Sequence, residues 1–386
     1  MPVQAVSQEN LRALGARIQK FRIDNGLSQR ELARLCGFPA HQTISMIEQG
    51  RRAVKVWEAQ ALAMALHQDL DSLLSVGPEP APAPAVLWWA LTGRRARVGS
   101  RQKRVEALFA RRMADYARVE QLCGLEPSQW LDEFEWSWRN PTPWQAEKLA
   151  RAVADALGLG SRPAFSLARL MEEEFLIKVW YEDIGLVGPS ACTRGPAGYG
   201  ILLNALEAPW RRNYSAAREL FQLIAWPPSA PPDVPAAQRA RLGNTFASAL
   251  LLPHTEFDRV LARRKAAAGL TPEDLFQLAR DFGVSVEAVL RRLEGLRRLR
   301  TEDVERLLRD TQLRAIDRGV VGASWLRAPR LPERFVRLSF FAWRRGGLPR
   351  AALARMLDCE PGAVRDLLLS YGFDDQQNYA APVLPG

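Results

Sequence analysis

The sequence predicts a mainly α-helical protein that contains a small α+β domain in its second half. Apolar residues recur at helical spacing through most of the 386 residues, which is typical of amphipathic helices. Runs rich in β-branched and aromatic residues at 175–181 and 198–204 suit strands. Proline alternates with small residues at 78–84, which indicates an extended linker between domains.

The charge of the chain points to a polyanionic partner. Lys and Arg number 53 against 43 Asp and Glu, which gives a net charge of +10 and a pI near 9.9. The excess lies in two blocks, residues 94–118 with +7 and residues 291–350 with +9, on either side of a mildly acidic middle. Nucleic acid is the leading candidate partner, although each block alone also suits a solvated helix face.

The pattern of histidines and cysteines argues against several other classes of protein. The chain has three histidines and four cysteines, with no HExxH spacing and no CxxC pair. A zinc-protease helix needs two imidazoles four residues apart, and a secreted scaffold needs dense cysteine spacing. No signal peptide and no apolar run of about 18 residues is found. We therefore expect a cytoplasmic protein with no metal, no cofactor and no membrane contact.

The first 77 residues carry the pattern of two short helices joined by a tight turn. The helical period breaks at Asn25-Gly26, and Ser28 with Glu31 forms a capping box that starts a helix of about two turns. A second short helix follows at about 41–48 and ends at Gly50. This arrangement is a helix-turn-helix.

Residues 26–33 and 41–52 resemble the phage-repressor and Cro type of DNA-binding domain, the XRE family, over about residues 9–76. The resemblance implies double-stranded DNA as the partner, with the second helix of the motif in the major groove. Gln42 suits a paired contact with adenine. The alternative is a small helical bundle that contacts proteins. The implied reading face is His41, Gln42, Thr43 and Ser45, and the implied backbone contacts are Gln29, Arg30, Arg51, Arg52 and Lys55.

The sequence next predicts a linker at 78–93, followed by a degenerate second copy of the helix-turn-helix at 94–157. Residues 122–124 repeat residues 35–37 as Leu-Cys-Gly at an offset of 87, and several apolar positions repeat with them. The matching reading face, Ser128, Gln129, Trp130 and Asp132, suits DNA poorly because it places carboxylates near phosphates. Structural use, or dimerisation through nearby tryptophans, is the alternative.

Residues 158–290 have the order helix, strands, helix, proline-rich loop, helix. This order and the segment 244–253 are similar to the ImmA/IrrE-type metallopeptidases, which often follow an XRE domain. The family's HExxH helix matches residues 218–222 here, which read Arg-Glu-Leu-Phe-Gln. Both histidine ligands are therefore replaced by Arg218 and Gln222, and residues 240–243 offer no carboxylate as third ligand. Only Glu219, at the general-base position, is kept.

The resemblance thus implies a pseudoenzyme, because a general base without a metal-bound water has nothing to activate. Arg218 places a positive charge where the family places a cation, so the cleft is a candidate site for a small anionic ligand or a peptide. Plain surface drift at Arg218 and Gln222 is the alternative.

The C-terminal region, residues 291–386, is expected to be helical and basic. Before it, Thr271 caps a helix that has Pro272 at its first position, and a second helix follows at about 284–293. Residues 347–355 echo residues 26–34 at an offset of 321. Acidic residues at 358, 360 and 366 leave this third copy unsuited to DNA, so we interpret it as structural.

The sequence therefore predicts a sequence-specific DNA-binding transcriptional regulator that forms a homodimer and carries an inactive peptidase-like domain for sensing or assembly. One alternative is a protein-interaction scaffold or antitoxin-like partner binder. Another is a metallopeptidase that cleaves a repressor, which would require a metal site built around Glu219.

Overall fold

A computed structural model describes residues 8–66, 70–74, 86–88, 100–126, 130–225, 234–264, 270–310 and 327–374. They divide into two compact units: the first takes its residues from 1–84 and 94–112, the second from 85–93 and 113–386. Helices dominate both, and the described residues contain one four-stranded sheet, so the predicted fold class is confirmed. No helix in these ranges has the length and apolar character needed to cross a membrane.

Five of the described helices lie wholly within the first unit and confirm the predicted helix-turn-helix. The Ser28 hydroxyl accepts from the Glu31 amide at 3.2 Å, and the Glu31 carboxylate accepts from the Ser28 amide at 2.8 Å. This capping box starts the second helix, and Gly50, at a φ of +66°, follows the third. The helices are α1 (Gln8–Asp24), α2 (Gln29–Leu35), α3 (His41–Glu48), α4 (Val56–Ala65) and α5 (Leu70–Leu74).

A close approach of α1 to α3 holds the first unit together. A Cβ at Gly15 would lie 2.4 Å from the Ile47 carbonyl oxygen, so only glycine allows the two helices to meet here. Ile18, Leu32 and Ile44 are fully buried in the core between the helices. The orientation of α3 is therefore set by packing as well as by its own sequence.

The second unit contains the sheet and the remaining helices. Helix α6 crosses from the first unit into the second at residue 113. In chain order the elements are β1 (Val86–Trp88), α6 (Ser100–Leu122), α7 (Pro143–Ala156), α8 (Leu167–Glu173), β2 (Lys178–Glu182), β3 (Ser190–Gly195), β4 (Gly198–Asn204), α9 (Pro209–Ala225), α10 (Ala236–Leu251), α11 (His254–Arg264), α12 (Pro272–Phe282), α13 (Val286–Gly295), α14 (Thr301–Arg309), α15 (Glu333–Arg344), α16 (Arg350–Met356) and α17 (Val364–Ser370).

The sheet has the order β1-β3-β4-β2, in which β2 and β4 run parallel and the other pairs antiparallel. The predicted strands at 175–181 and 198–204 correspond to β2 and β4. Strand β3 was missed because its sequence, Ser-Ala-Cys-Thr-Arg-Gly, has few β-branched residues. Strand β1 lies inside the predicted linker 78–93, so that prediction was wrong for residues 86–88.

The core of the second unit lies between the sheet and two long helices. Helix α9 packs on β3 and β4, and α10 packs against both α9 and α7. Phe221 of α9 and Phe246 of α10 bring their ring centroids to 5.3 Å. The segment 244–253, on which the family resemblance rests, is therefore the helix that covers α9.

The degenerate second helix-turn-helix predicted at 94–157 differs from the first copy in its helices, although α7 begins at the position that matches the start of α4. Its matched segments are instead one continuous helix of 23 residues, α6, and a single 3₁₀ turn at Trp130–Glu133 where the reading helix was expected. Ser128 and Gln129 of its reading face lie outside the described residues. The turn after α6 is kept, with Gly124 at a φ of +76°, whereas the break that separates α1 from α2 in the first unit is absent from α6.

Residues of the 3₁₀ turn pack into the second unit. Leu131 is buried, Trp130 stacks on Phe175 with ring centroids 6.1 Å apart, and Asp132 pairs with Arg194 at 2.6 Å. The predicted structural use of this segment therefore describes it better than DNA contact.

The C-terminal helices α15–α17 repeat the geometry of the helix-turn-helix. Asp358, between α16 and α17, has a φ of +54°, and Gly37 at the matched position has a φ of +69°. The positions that match His41 and Gln42 are Gly362 and Ala363, which have no polar side chain. These helices therefore resemble the motif in their boundaries, while Val364 and Asp366 stand at the positions that match Thr43 and Ser45.

Candidate nucleic-acid interface and peptidase-like centre

Helix α3 presents one polar face and one buried face. His41 and Gln42 are exposed, and Thr43 and Ser45 are partly exposed. Ile44 and Ile47 are buried on the opposite side. The four predicted reading residues therefore lie together on one helix, with their side chains on or next to its solvent-facing side.

Two further residues of this face were missed by sequence reasoning. Met46 is 45% exposed, and the exposed Gln49 donates from Nε2 to the Ser45 hydroxyl at 3.2 Å. Their positions, four and seven residues after Gln42, could have identified them from the sequence, because this spacing places side chains on one face of a helix. The exposed side of α3 and its C-cap therefore carries one apolar side chain, Met46, beside the predicted polar ones.

Glu48 fixes the end of α3 to both preceding helices. Its carboxylate accepts from Arg22 Nε at 2.6 Å and Nη2 at 3.0 Å, and from Gln29 Nε2 at 2.8 Å. The Glu48 side chain is 3% exposed and that of Arg22 is 11% exposed. One buried carboxylate thus sets the angle at which α3 is presented.

The predicted backbone contacts fall into two groups. Arg30, Arg51 and Lys55 are exposed, as a phosphate contact requires. Gln29 is bound to Glu48, and Arg52 donates to both carboxylate oxygens of Glu58, at 2.6 and 3.1 Å. The Arg52 guanidinium holds the pKa of Glu58 below its ordinary value. Gln29 and Arg52 therefore stabilise the domain, and contact with phosphate stays a prediction for all five.

Glu219 lies at the centre of the second unit, on the face of α9 that packs on the sheet. It is fully buried, and its Oε1 accepts from the Ser190 hydroxyl of β3 at 2.6 Å. Burial raises the pKa of Glu219 to about 7, against smaller opposing effects of Ser190 and Cys192. No side chain of the described residues hydrogen-bonds its Oε2.

Gln222 and Arg218 lie on either side of Glu219 but point to different partners. Gln222 Nε2 donates to the Leu87 carbonyl oxygen of β1 and to Cys192 Sγ, each at 3.4 Å. The Arg218 guanidinium lies over the ring of Tyr214, 5.8 Å from its centroid. Of the three residues matched to the metallopeptidase motif, Glu219 and Gln222 thus both interact with Cys192, and Arg218 lies over Tyr214 instead.

These residues do not fit a catalytic metal. Guanidinium groups only donate hydrogen bonds, so Arg218 cannot be a ligand, and a zinc site of this type needs three protein ligands. Among the described ranges, no three His, Cys, Asp or Glu side chains gather closely enough to hold a metal ion.

The second unit contains a cavity of about 540 Å³ at the other end of α9. Its walls include Leu203, Ala216 and Phe276, and its volume lies in the usual range for small-molecule sites. Four arginines also line it, and no acidic residue does among those described: Arg169, Arg212, Arg280 and Arg327. The cavity with the volume for a small ligand therefore lies at the Pro209 end of α9, and not around Glu219, which is fully buried among other side chains.

Replacing Glu219 by glutamine should change how stability depends on pH. Between pH 4.5 and 7 the folded protein binds more protons than the unfolded chain at Glu219, so its free energy of unfolding falls as pH rises through this window. In Glu219→Gln the fall in the free energy of unfolding between pH 5 and pH 8 should be smaller than in the wild type, by on the order of 2–3 kcal/mol. Urea unfolding at both pH values measures it. The exposed Glu174→Gln is the control, and an equal loss in both variants would contradict the assignment.

Comparison with known proteins finds two family matches on separate parts of the chain. Residues 13–74 match the family described as helix-turn-helix domain, and residues 172–294 match the IrrE N-terminal-like domain, a peptidase family. The chain therefore carries a DNA-binding domain of the helix-turn-helix class followed by an IrrE-like domain. No match is found among curated proteins.

Two solved structures show distant similarity. A Mycobacterium tuberculosis transcriptional regulator is 21% identical over 47% of this chain and 52% of its own, with a TM-score of 0.31. Bacillus thuringiensis PlcR, solved with the peptide PapR7 and DNA, is 11% identical over 94% of this chain and 97% of its own, with a TM-score of 0.17. This chain thus spans about half the length of the mycobacterial protein.

Proposed function

We propose that the protein is a sequence-specific transcriptional regulator that reads DNA with helix α3. The observation that carries this is the polar face of α3, on which His41, Gln42 and Ser45 lie beside an exposed turn containing Arg51. In helix-turn-helix domains such side chains reach base edges, while basic neighbours hold phosphates. The proposed role follows from the class of the domain and the exposure of these groups.

The regulator is proposed to act as a homodimer. One helix-turn-helix makes too few contacts for operator-grade affinity, and dimers place two reading helices about 34 Å apart along the duplex. A palindromic preferred site, found by selection from random duplexes, would support the dimer. A preferred half-site without a repeat would contradict it.

The IrrE-like domain is proposed to be catalytically inactive and to serve as a sensor or assembly module. Support comes from Arg218 and Gln222 at the histidine positions and from Glu219, which is buried against Ser190 and around which the described part of the chain gathers no set of three metal ligands. Metal analysis of the purified protein tests this. Stoichiometric zinc that is lost in Glu219→Gln would overturn it.

A small anionic ligand is proposed for the arginine-lined cavity. The apolar walls suit an apolar body, and a guanidinium such as that of Arg280 at its edge suits a carboxylate or phosphate. Thermal-shift measurements with small carboxylates and phosphates test this. Absence of stabilisation by any of them would remove the cavity from the sensing role.

The first experiment is a fluorescence-anisotropy titration on the DNA upstream of the protein's own gene and on a scrambled duplex, at low and physiological salt. Charge alone gives weak binding to both that falls steeply with salt. Tighter binding to the upstream DNA that persists at physiological salt would establish a sequence-specific, autoregulating protein. Equal binding to both would leave autoregulation unsupported and lead to site selection.

Gln42→Ala should weaken binding to the preferred site by about 1–3 kcal/mol and relax base choice at one position, because a paired contact with a base edge is lost. Anisotropy with the preferred duplex and its single-base variants measures both effects. Arg51→Ala is the matched control, which should weaken binding to all duplexes alike and lower the salt dependence. Unchanged base preference in Gln42→Ala would remove Gln42 from the reading face.

A further inference from the structure

Strand β1 fills the edge of the sheet beside the peptidase-like centre. Its three residues pair antiparallel with β3, with Val86 opposite Thr193, Leu87 opposite Cys192 and Trp88 opposite Ala191. Without β1, the N–H and C=O groups along this side of β3 would form an open edge, which accepts further strands readily. The sheet edge next to Glu219 is thus a strand-accepting site that the chain itself occupies.

The occupying strand comes from the segment that connects the helix-turn-helix to the rest of the chain. Residues 85–93 belong to the second unit, whereas the stretches before and after them, residues 1–84 and 94–112, belong to the first. Strand β1 is therefore separated by about one hundred residues from the strand it pairs with, and no hairpin joins the two.

Specific side-chain contacts hold β1 in place. Leu87 packs against the core of the second unit. The Trp88 ring lies over Gly188, where an added Cβ would come within 3.3 Å of Trp88 Cε3. Gln222 donates to the Leu87 carbonyl oxygen at 3.4 Å. The residue at the second histidine position of the peptidase motif thus binds the backbone of the incoming strand.

This attachment is exposed enough to be exchanged. In the part of the segment that the structure describes, three residues pair, and all three are partly exposed. A partly exposed edge strand opens locally at a lower free energy than the buried strands beside it. A peptide that forms the same backbone pairing and the same two apolar contacts competes with β1 on equal terms, apart from the advantage that β1 gains from its covalent connection.

We propose that the β3 edge is a peptide-binding site, occupied in cis by Val86–Trp88 and opened to an extended peptide of a partner protein. The ligand is a β-strand that presents a leucine-like residue to the Leu87 position and an aromatic residue to the Trp88 position. Its binding releases β1 and lengthens the connection to the helix-turn-helix domain. This deepens the proposed sensor role and rests on it, but its test involves no DNA.

A fluorescein-labelled peptide with the sequence of residues 84–90 is the probe, titrated by anisotropy into full-length protein. Leu87→Asp removes the apolar contact of β1 and should bind the probe at least about tenfold more tightly than the wild type, because the tethered competitor is lost. Leu206→Asp makes the same change at a leucine that is 68% exposed and should bind as the wild type does. A probe with aspartate in place of its leucine should not bind.

Hydrogen exchange on the unaltered protein is the second measurement and needs no variant to fold. A saturating amount of probe should increase exchange in the fragment that covers residues 86–88. Equal affinity of Leu87→Asp and wild type for the probe, or unchanged exchange at saturation, would overturn the proposal. Both measurements are made without DNA. A negative result in the peptide titration or in hydrogen exchange would therefore leave the DNA-binding proposal unaffected, and a protein that fails to bind DNA could still give the expected result in both.

Discussion

Glu120→Ala is expected to lower the free energy of unfolding of the second unit by about 3–5 kcal/mol, because it leaves two buried cations without their shared counter-charge. Glu120 accepts from Arg334 Nη1 at 2.5 Å and pairs with Lys178 Nζ at 2.8 Å. The Lys178 side chain is 2% exposed and that of Arg334 is 4% exposed. One carboxylate thus joins α6, β2 and α15.

The surroundings of Glu120 cannot replace its charge. A second buried carboxyl, Glu172, accepts from the Tyr116 hydroxyl at 3.0 Å, and burial raises the pKa of Glu172 to about 8. Near neutral pH it is therefore largely protonated. Burial also lowers the pKa of Lys178, an effect that the charge of Glu120 opposes. Removing Glu120 should accordingly drive Lys178 toward its neutral form.

Urea unfolding of Glu120→Ala and of the control Glu173→Ala measures this. Glu173 pairs with Arg337 at 2.7 Å, but both side chains are about one-third exposed, so its loss should cost less than about 1 kcal/mol. Similar destabilisation by the two variants would show that the buried network contributes no more than a surface pair.

Glu48→Ala is expected to destabilise the first unit by about 3–5 kcal/mol and to abolish specific DNA binding with it, since the largely buried Arg22 would lose its counter-charge and retain its bond to the Leu27 carbonyl oxygen. Gln29 would lose its acceptor as well. Because α3 is attached to α1 and α2 through this carboxylate, the reading face would lose its fixed presentation even in molecules that stay folded.

The neighbouring Gln49→Ala is the matched control. Gln49 is exposed, and its side chain donates to the Ser45 hydroxyl. The free energy of unfolding of Gln49→Ala should therefore differ from that of the wild type by less than about 0.5 kcal/mol. Thermal unfolding and anisotropy on the preferred duplex separate the two effects. Full stability of Glu48→Ala would contradict the structural role of this carboxylate.

Local sequence signals predicted the elements whose ends are encoded by neighbouring residues. Ser28 and Glu31 start α2 by a reciprocal pair of hydrogen bonds that needs nothing beyond four residues. Thr271 starts α12 in the same way, and its hydroxyl accepts from the Asp274 amide at 3.2 Å. Strand β4 was recognised because its run of apolar residues is buried on both faces.

The same signals failed where distant segments decide the structure. Residues 86–88 form a strand only because β3 offers an open edge about one hundred residues later. The repeat at an offset of 87 kept the Leu-Cys-Gly that ends a helix, but its reading helix is reduced to a 3₁₀ turn that packs on Phe175. A pattern within a few consecutive residues does not predict strand pairing or packing with distant parts of the chain.

By itself the sequence determined the helix-turn-helix, the polar residues at the start of its second helix, the class of the third region and the absence of histidine at positions 218 and 222, because capping, spacing and residue identity are local properties. Only the tertiary structure decided that Glu48 holds α3 through Arg22, that Glu219 is buried against Ser190, and that the small-molecule cavity lies away from it. It also decided that part of the linker is a strand, because hydrogen bonds between strands are satisfied only when the fold brings them together.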